Sequence, residues 1–144
     1  MGLPHWEYEF QHFPRAETRA LARSLCHAGF DLIVGSHPHV IQPIEWLRPG
    51  VCFYSVGNLY SRMWSRPTRL SAAFEAEFSV DGPERGVVTR YATHLIVQRT
   101  AGERTSLELL TADRGLPDAG GFLRRAERLL PGIDERSAAS AVPQ

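Results

Sequence analysis

Two histidines on either side of one proline are the residues of this sequence best suited to chemistry. They lie in the segment Gly-Ser-His-Pro-His-Val at residues 35–40, at the end of a short apolar run. In extended backbone alternate side chains point to the same side, so His37 and His39 are predicted to face one pocket. Pro38 stiffens the spacer, and neutral imidazole is a common ligand of zinc, iron and manganese. The pair predicts a metal site; the alternative is two solvated or hydrogen-bonded histidines.

Two other segments stand out from a generic background. They read His-Trp-Glu-Tyr-Glu-Phe at residues 5–10 and Tyr-Ser-Val-Gly-Asn-Leu at residues 54–59. The remaining chemical candidates are weaker: His94 lies in a strand pattern, and Glu75 and Glu77 share one polar strand face, which is typical of solvent exposure. The sequence contains no P-loop, nucleophile elbow or dinucleotide-binding fingerprint.

The elements that position these segments follow from hydrophobic spacing. Pro14 and an apolar face at helical spacing predict a helix over residues 15–28, and Gly29 ends it. The apolar run 31–35 predicts a fully buried strand. A helix that leads through glycine into a buried strand is half of a βαβ unit, so we predict an α/β fold, and the carboxyl ends of α/β strands are where such folds place their sites.

The rest of the chain is predicted to be rich in β-structure, with one domain over residues 1–136. Strands are predicted at residues 40–47, 51–56, 74–79, 86–98 and 105–111, with a loop at residues 59–70. In the strand at 74–79 the apolar side chains alternate with polar ones, which predicts one buried face. A short amphipathic helix is predicted at residues 119–130, and the small, polar tail at residues 137–144 is predicted to be disordered.

Composition excludes several classes of function. The chain has 144 residues, 16 basic and 16 acidic side chains and no formal net charge, so it lacks the field that gathers nucleic acid. Its apolar runs are too short to cross a bilayer, and residues 1–20 do not resemble a signal peptide. Cys26 and Cys52 lie in apolar patterns typical of buried thiols. As written, the chain is expected to be soluble.

The three segments, in this order and spacing, resemble a known family. A Gly-x-His-Pro-His-Val element after a buried strand, a His-Trp-x-x-Glu-Phe element about thirty residues earlier and a Tyr-Ser-x-Gly-Asn element about fifteen residues later are similar to the CapA-type branch of the calcineurin-like metallophosphoesterases. The motifs cover roughly residues 5–60. The resemblance implies a layered α/β sandwich with two divalent metal ions at the strand carboxyl ends.

The resemblance also implies roles for individual residues. His37 and His39 correspond to the closing His-x-His ligand pair, and His5 corresponds to the single histidine ligand before it. Ser55 and Asn58 match the Ser-x-Gly-Asn stretch, which is expected to line the pocket, with Asn58 in contact with substrate or with a metal ligand. No catalytic residue is assigned.

The sequence departs from the family pattern in two ways. The family has glycine at the position of Glu7, and a glutamate there is expected either to disturb the turn beside His5 or to intrude on the site. The early Asp-x-His, Gly-Asp and Asn-His motifs are absent, so we expect an incomplete sandwich without its N-terminal strands. Three neutral imidazoles cannot neutralise two divalent ions, so at most one weakly held ion is expected.

The resulting functional hypothesis is a CapA-like protein of bacterial capsule or poly-γ-glutamate synthesis. It would act on a polymer or phosphoester substrate, but the chain alone is expected to be truncated and inactive, and cell-envelope association is expected if a further N-terminal segment exists. The alternative is a non-catalytic remnant or binding module that folds with a partner chain supplying the missing half.

Overall fold

The computed structural model of the chain describes residues 1–48, 50–63, 65–83, 85–110 and 139–141. Within these residues the backbone forms one α-helix, one short 3-10 helix at Arg66–Arg69 and seven strands. The α-helix and strands are α1 (Ala16–His27), β1 (Leu32–Val34), β2 (Ile44–Leu47), β3 (Gly50–Phe53), β4 (Leu70–Phe78), β5 (Val88–Ala101), β6 (Arg104–Leu109) and β7 (Ala139–Ala141). No helix among the described residues is long and apolar enough to span a membrane.

The first sheet is small and has the order β1-β3-β2. Strand β3 pairs with β1 in parallel, with Leu32 opposite Val51, and with β2 in antiparallel orientation. Residues 2–6 run parallel to β1 as an additional edge, because Gly2 N donates to Leu32 O at 2.8 Å and Trp6 N donates to Ser36 O at 3.1 Å. This pairing places the N-terminal histidine segment beside the His-Pro-His segment.

The second sheet is antiparallel and has the order β4-β5-β6, with β7 pairing with β5. Its long ladder begins at Leu70 opposite Val97 and shifts register at Phe78. Phe74 and Ala76 are half-buried while Glu75 and Glu77 are exposed, as the alternating pattern predicted. Phe78, where the register shifts, is 42% exposed, so the predicted buried face ends before it.

The two sheets and the helix form three layers. Helix α1 packs on one face of the first sheet through a cluster that includes Ala22, Cys26 and Ile33. The opposite face packs against the second sheet, where the Phe53 ring contacts Tyr91 edge-on at a centroid distance of 5.2 Å. The layered α/β class predicted from the sequence is confirmed.

Several predicted boundaries shift. The strand predicted at 40–47 begins only at Ile44, because Pro43 has no N–H to donate to a ladder. The strand predicted at 51–56 ends at Phe53, after which the chain crosses to the second sheet, where Ala72 N donates to Val56 O at 2.9 Å. The helix predicted at 119–130 lies outside the described residues. Of the tail predicted at 137–144, residues 139–141 are described and form β7.

Candidate metal centre

The three histidines predicted as metal ligands lie side by side at the carboxyl end of β1. The ring centroids of His5 and His37 are 4.5 Å apart, and those of His37 and His39 are 5.8 Å apart. His5 reaches this position because the edge segment pairs with Ser36. Among the described residues, however, no group of three or more His, Cys, Asp or Glu is arranged so as to hold a metal ion.

The backbone of the His-Pro-His segment differs from the extended conformation predicted for it. His37 has φ +104° and His39 has φ +61°, so both lie in the left-handed region that costs free energy for residues other than glycine. Bonds on either side hold this conformation: Ser36 N donates to Pro4 O at 3.0 Å, and Phe10 N donates to Pro38 O at 2.8 Å. The two rings therefore approach each other through a turn rather than through strand alternation.

Asn58 fixes the orientation of His39. Its Nδ2 faces three acceptors, including Ser61 Oγ at 3.2 Å and Thr68 O at 3.4 Å, so its Oδ1 is the atom turned toward His39 Nδ1 at 2.8 Å. An oxygen acceptor requires the proton on His39 Nδ1. In the neutral ring, Nε2 is then the lone-pair nitrogen, as in histidines that bind metals.

Ser36 orients His5 in a similar way. The Ser36 hydroxyl lies 3.4 Å from Pro4 O, to which it donates, and 3.3 Å from His5 Nδ1. Because the single hydroxyl proton is used, Ser36 Oγ accepts from His5 Nδ1, and His5 Nε2 is left as the lone-pair nitrogen. With these tautomers, the Nε2 atoms of His5 and His39 carry the lone pairs that a cation would use.

Ser55 is a buried residue of the turn that precedes Asn58 and is not one of the clustered side chains. It is buried, at 1% exposed, and its Oγ accepts from Gly57 N at 3.3 Å. Gly57 has φ +72°, and a Cβ there would meet Leu70 O at 2.6 Å, so the motif glycine is required by the turn. Ser55 and Gly57 thus shape the turn that carries Asn58 to His39.

Glu9 is a site residue to which the sequence reasoning gave no role. Its Oε1 lies 3.7 Å from His39 Nε2. The ring of the next residue, the half-exposed Phe10, lies near His39 at a centroid distance of 6.3 Å. The signal was available, since Glu9 and Phe10 are the Glu-Phe of the His-Trp-x-x-Glu-Phe element. Glu9 is the carboxylate that lies against the histidine cluster in the described part of the chain.

Glu7 occupies the position where glycine was expected. It keeps the positive φ that glycine favours, at +70°, and its side chain turns to helix α1 instead of the histidines. Its Oε1 accepts from Arg15 N at 3.0 Å and its Oε2 accepts from Arg15 Nε at 3.2 Å. Burial raises the pKa of Glu7, but hydrogen bonds from Thr18 and Arg15 outweigh burial and hold this pKa below its usual value. The glutamate therefore ties the histidine segment to the helix.

Trp6 and Tyr54 support the site from behind. Their rings stack at a centroid distance of 5.9 Å, and Trp6 Nε1 donates to Tyr54 O at 2.9 Å. The Tyr54 hydroxyl donates to Glu45 Oε2 at 2.8 Å, and Arg19 makes two bonds to the same carboxylate. The Arg19 hydrogen bonds lower the pKa of Glu45, while burial and the Glu45 contact raise the pKa of Tyr54. Both aromatic residues belong to the predicted motifs.

These features define a layered α/β domain with a histidine-lined loop site. A family model described as bacterial capsule synthesis protein PGA_cap matches residues 3–63, the part that carries all three motifs. This match, together with a relative that is 36% identical over 85% of this chain, shows that the chain belongs to this CapA-type family.

Two curated relatives place the match in context. The PGA biosynthesis protein CapA of Bacillus subtilis (strain 168) is 36% identical over 124 residues, which cover 85% of this chain and 32% of that protein. The capsule biosynthesis protein CapA of Bacillus anthracis is 41% identical over 63 residues, which cover 43% of this chain and 15% of that protein. The chain thus spans a third or less of the length of these relatives.

Proposed function

We propose that this chain acts in bacterial capsule or poly-γ-glutamate synthesis and contributes His5, His37 and His39 to a metal-dependent, phosphoesterase-type site. The observation that carries the proposal is the meeting of three separate sequence motifs at one place. His5 comes from the first, His37 and His39 from the second, and Asn58, which bonds to His39 at 2.8 Å, from the third. The names of both relatives support the process, and envelope association belongs to the same proposal.

The residues of the chain have distinct roles in this proposal. His5, His37 and His39 would hold one divalent ion, which supplies Lewis acidity or an activated water when bound. Asn58 and Ser36 keep the Nδ1 protons in place, so the Nε2 lone pairs of His39 and His5 are available. Ser55 acts only through the turn before Asn58.

The charge of the candidate ligands limits how tightly the chain alone is expected to bind a metal ion. Three neutral imidazoles leave the positive charge of a divalent ion uncompensated, and Glu9, 3.7 Å from His39 Nε2, is half exposed. We therefore propose that the ion is held weakly and that bridging carboxylates come from another part of a CapA-type protein or from a partner chain. The chain alone is then not expected to turn over a phosphoester.

A second candidate is a non-catalytic binding module that folds or docks with a partner chain. The aromatic side chains around the histidine segment favour it: Tyr8, Phe10 and Phe13 are 61%, 51% and 62% exposed. Exposed aromatic groups in one short segment are typical of an interaction surface.

Metal titration of the purified chain by calorimetry tests the first candidate. We expect one zinc or manganese ion per chain with a Kd weaker than about 1 μM, and no measurable binding after combined His37→Ala and His39→Ala substitution. Asn58→Ala should weaken binding roughly tenfold, because the His39 ring loses its orienting partner. His94→Ala is the matched control and should leave binding unchanged.

Two results would contradict different parts of this proposal. Binding of two ions per chain with sub-micromolar affinity would contradict the charge argument. Unchanged binding in the double histidine variant would show that the ion is held elsewhere. Metal-dependent hydrolysis of a phosphodiester by the chain alone would instead reject the non-catalytic candidate.

A further inference from the structure

A cavity of about 640 Å³ opens between the loop after Asn58 and the hairpin that joins β5 to β6. Its volume lies within the range of cavities that hold small organic ligands. The lining includes Tyr60, Arg62, Arg69, Gln98, Thr100 and Thr105. None of the three histidines lines it, so this cavity is separate from the candidate metal centre.

Two arginines give the cavity its chemical character. Several arginines elsewhere pair with carboxylates, such as Arg19 with Glu45 at 2.7 Å and Arg90 with Glu77 at 2.9 Å. Within the described part of the chain, Arg62 and Arg69 have no carboxylate partner. Among the described residues the buried Arg69 Nε also has no hydrogen-bond acceptor, so no other group of the described chain already engages this guanidinium, whose charged N–H groups favour an oxyanion.

The remaining charge in the cavity does not cancel the arginines. Glu103 is on the hairpin wall and makes no ion pair with Arg62 or Arg69, so two guanidinium groups face one carboxylate. The net charge of the lining is therefore positive, in a chain whose overall formal charge is zero. A local excess of guanidinium groups in a concave site favours carboxylate or phosphate groups.

The walls of the cavity are held in place before any ligand arrives. Gln98 is 3% exposed; its Oε1 accepts from Ser61 N at 2.7 Å, and its Nε2 donates to Ser61 O. On the hairpin, the hydroxyl groups of Thr100 and Thr105 lie 3.2 Å apart. Such pre-organisation lowers the ordering cost that ligand binding must overcome.

We propose that this cavity binds an oxyanion group, a carboxylate or a phosphate, of an anionic ligand through Arg62 and Arg69. The threonine hydroxyls and the Tyr60 ring supply neutral contacts beside the charged group. Asn58 links the cavity wall to the histidine site, since its Nδ2 donates to Ser61 Oγ at 3.2 Å. The proposal does not depend on a metal ion, so it stands or falls separately from the proposed function.

The test uses the full chain in the presence of EDTA, which removes any metal contribution. Tri-glutamate and inorganic phosphate are titrated separately, at constant ionic strength, while amide chemical shifts are followed by NMR. We expect saturable binding of at least one probe, with shifts at Ser61, Gln98 and Thr105. Arg62→Ala and Arg69→Gln should each weaken this binding roughly tenfold, the usual effect of losing one charge-assisted hydrogen bond.

Arg85→Gln is the matched control, because it removes one exposed arginine from the turn before β5, outside the cavity lining. Saturation by tri-glutamate alone identifies a carboxylate site, and saturation by phosphate alone identifies a phosphate site. The proposal is overturned if neither probe saturates or if Arg85→Gln weakens binding as much as the cavity variants. If Arg69→Gln does not fold, the test of the proposal rests on Arg62→Ala, because replacing the exposed Arg62 leaves the core unchanged.

Discussion

The two sheets of this protein are held together in different ways. The first has strands of three or four residues, and specific contacts among Trp6, Gly35 and Tyr54 stabilise it. The second consists of longer antiparallel strands, up to fourteen residues in β5, whose regular ladder supplies most contacts. The matched family motifs fall in the first region. Its geometry therefore depends on individual atoms, whereas that of the second region depends on repeated backbone pairing.

The largest expected difference between the regions concerns glycine. A Cβ at Gly35 would lie 2.2 Å from Tyr54 O and 2.5 Å from Trp6 Nε1, so Gly35→Ala must displace backbone. We expect it to lower the free energy of unfolding by about 3 kcal/mol, measured by urea titration followed by circular dichroism. The control Gly102→Ala lies in the β5–β6 hairpin with φ +60° and no atom within 4 Å, and should cost about 1 kcal/mol from backbone strain alone. Equal losses would refute the proposed contrast.

A smaller difference is expected for the hydroxyl groups of two largely buried tyrosines, one in each region. Tyr54 is 1% exposed and donates to Glu45 at 2.8 Å, so Tyr54→Phe removes a hydrogen bond to a charged acceptor. The expected loss is about 1.5 kcal/mol. Tyr91, in the second sheet, is 6% exposed, and its hydroxyl has no hydrogen-bond partner within the described residues. Tyr91→Phe should change stability by less than about 0.5 kcal/mol, and a larger loss than for Tyr54→Phe would contradict this account.

The smallest effect is a pH dependence. The Arg19 hydrogen bonds lower the pKa of Glu45 below its usual value of 4.5. The ionised Glu45 therefore contributes its full stabilisation above pH 4.5, and this stabilisation is lost as the pH falls through the lower pKa of the folded state. Because solvent reaches Arg19, we expect Glu45→Gln to cost only about 1 kcal/mol at pH 7 and progressively less below about pH 4.5. Urea titrations at several pH values measure this.

The control for this pH dependence is Glu77→Gln. It removes an exposed pair with Arg90 in the second sheet and should change stability by less than about 0.5 kcal/mol throughout. A difference between wild type and Glu45→Gln that grows toward acidic pH would show that the sign of the Glu45 argument is wrong.

Regular elements were the part of the fold that hydrophobic spacing could predict. The helix predicted at 15–28 is Ala16–His27, and the strand predicted at 31–35 is Leu32–Val34. The helix is amphipathic and the strand is buried, so in both the spacing of the apolar residues follows from local packing. The layered α/β class followed from them, but the early end of the strand predicted at 51–56 did not, because it depends on a crossing to the second sheet.

In the candidate site, local sequence patterns could predict the residue types but not the backbone angles. The types and order of the histidines were visible in the sequence, and the metal assignment remains a prediction. The positive φ values of His37 and His39 could not be predicted, because bonds from residues 4 and 10 stabilise them. Similarly, the contact between Glu9 and His39 arises from pairing between distant segments, which local patterns do not report.

The bond between Glu7 and Arg15 N has a consequence for local opening of the fold. The Glu7 carboxylate occupies the amino end of α1, so fraying of the first helical turn and detachment of the histidine segment are coupled events. The amide protons of Trp6 and Arg15, nine residues apart in the chain, should then exchange with solvent at similar rates. A glutamate in a glycine-like backbone conformation thereby makes the helix end and the histidine segment one cooperative unit.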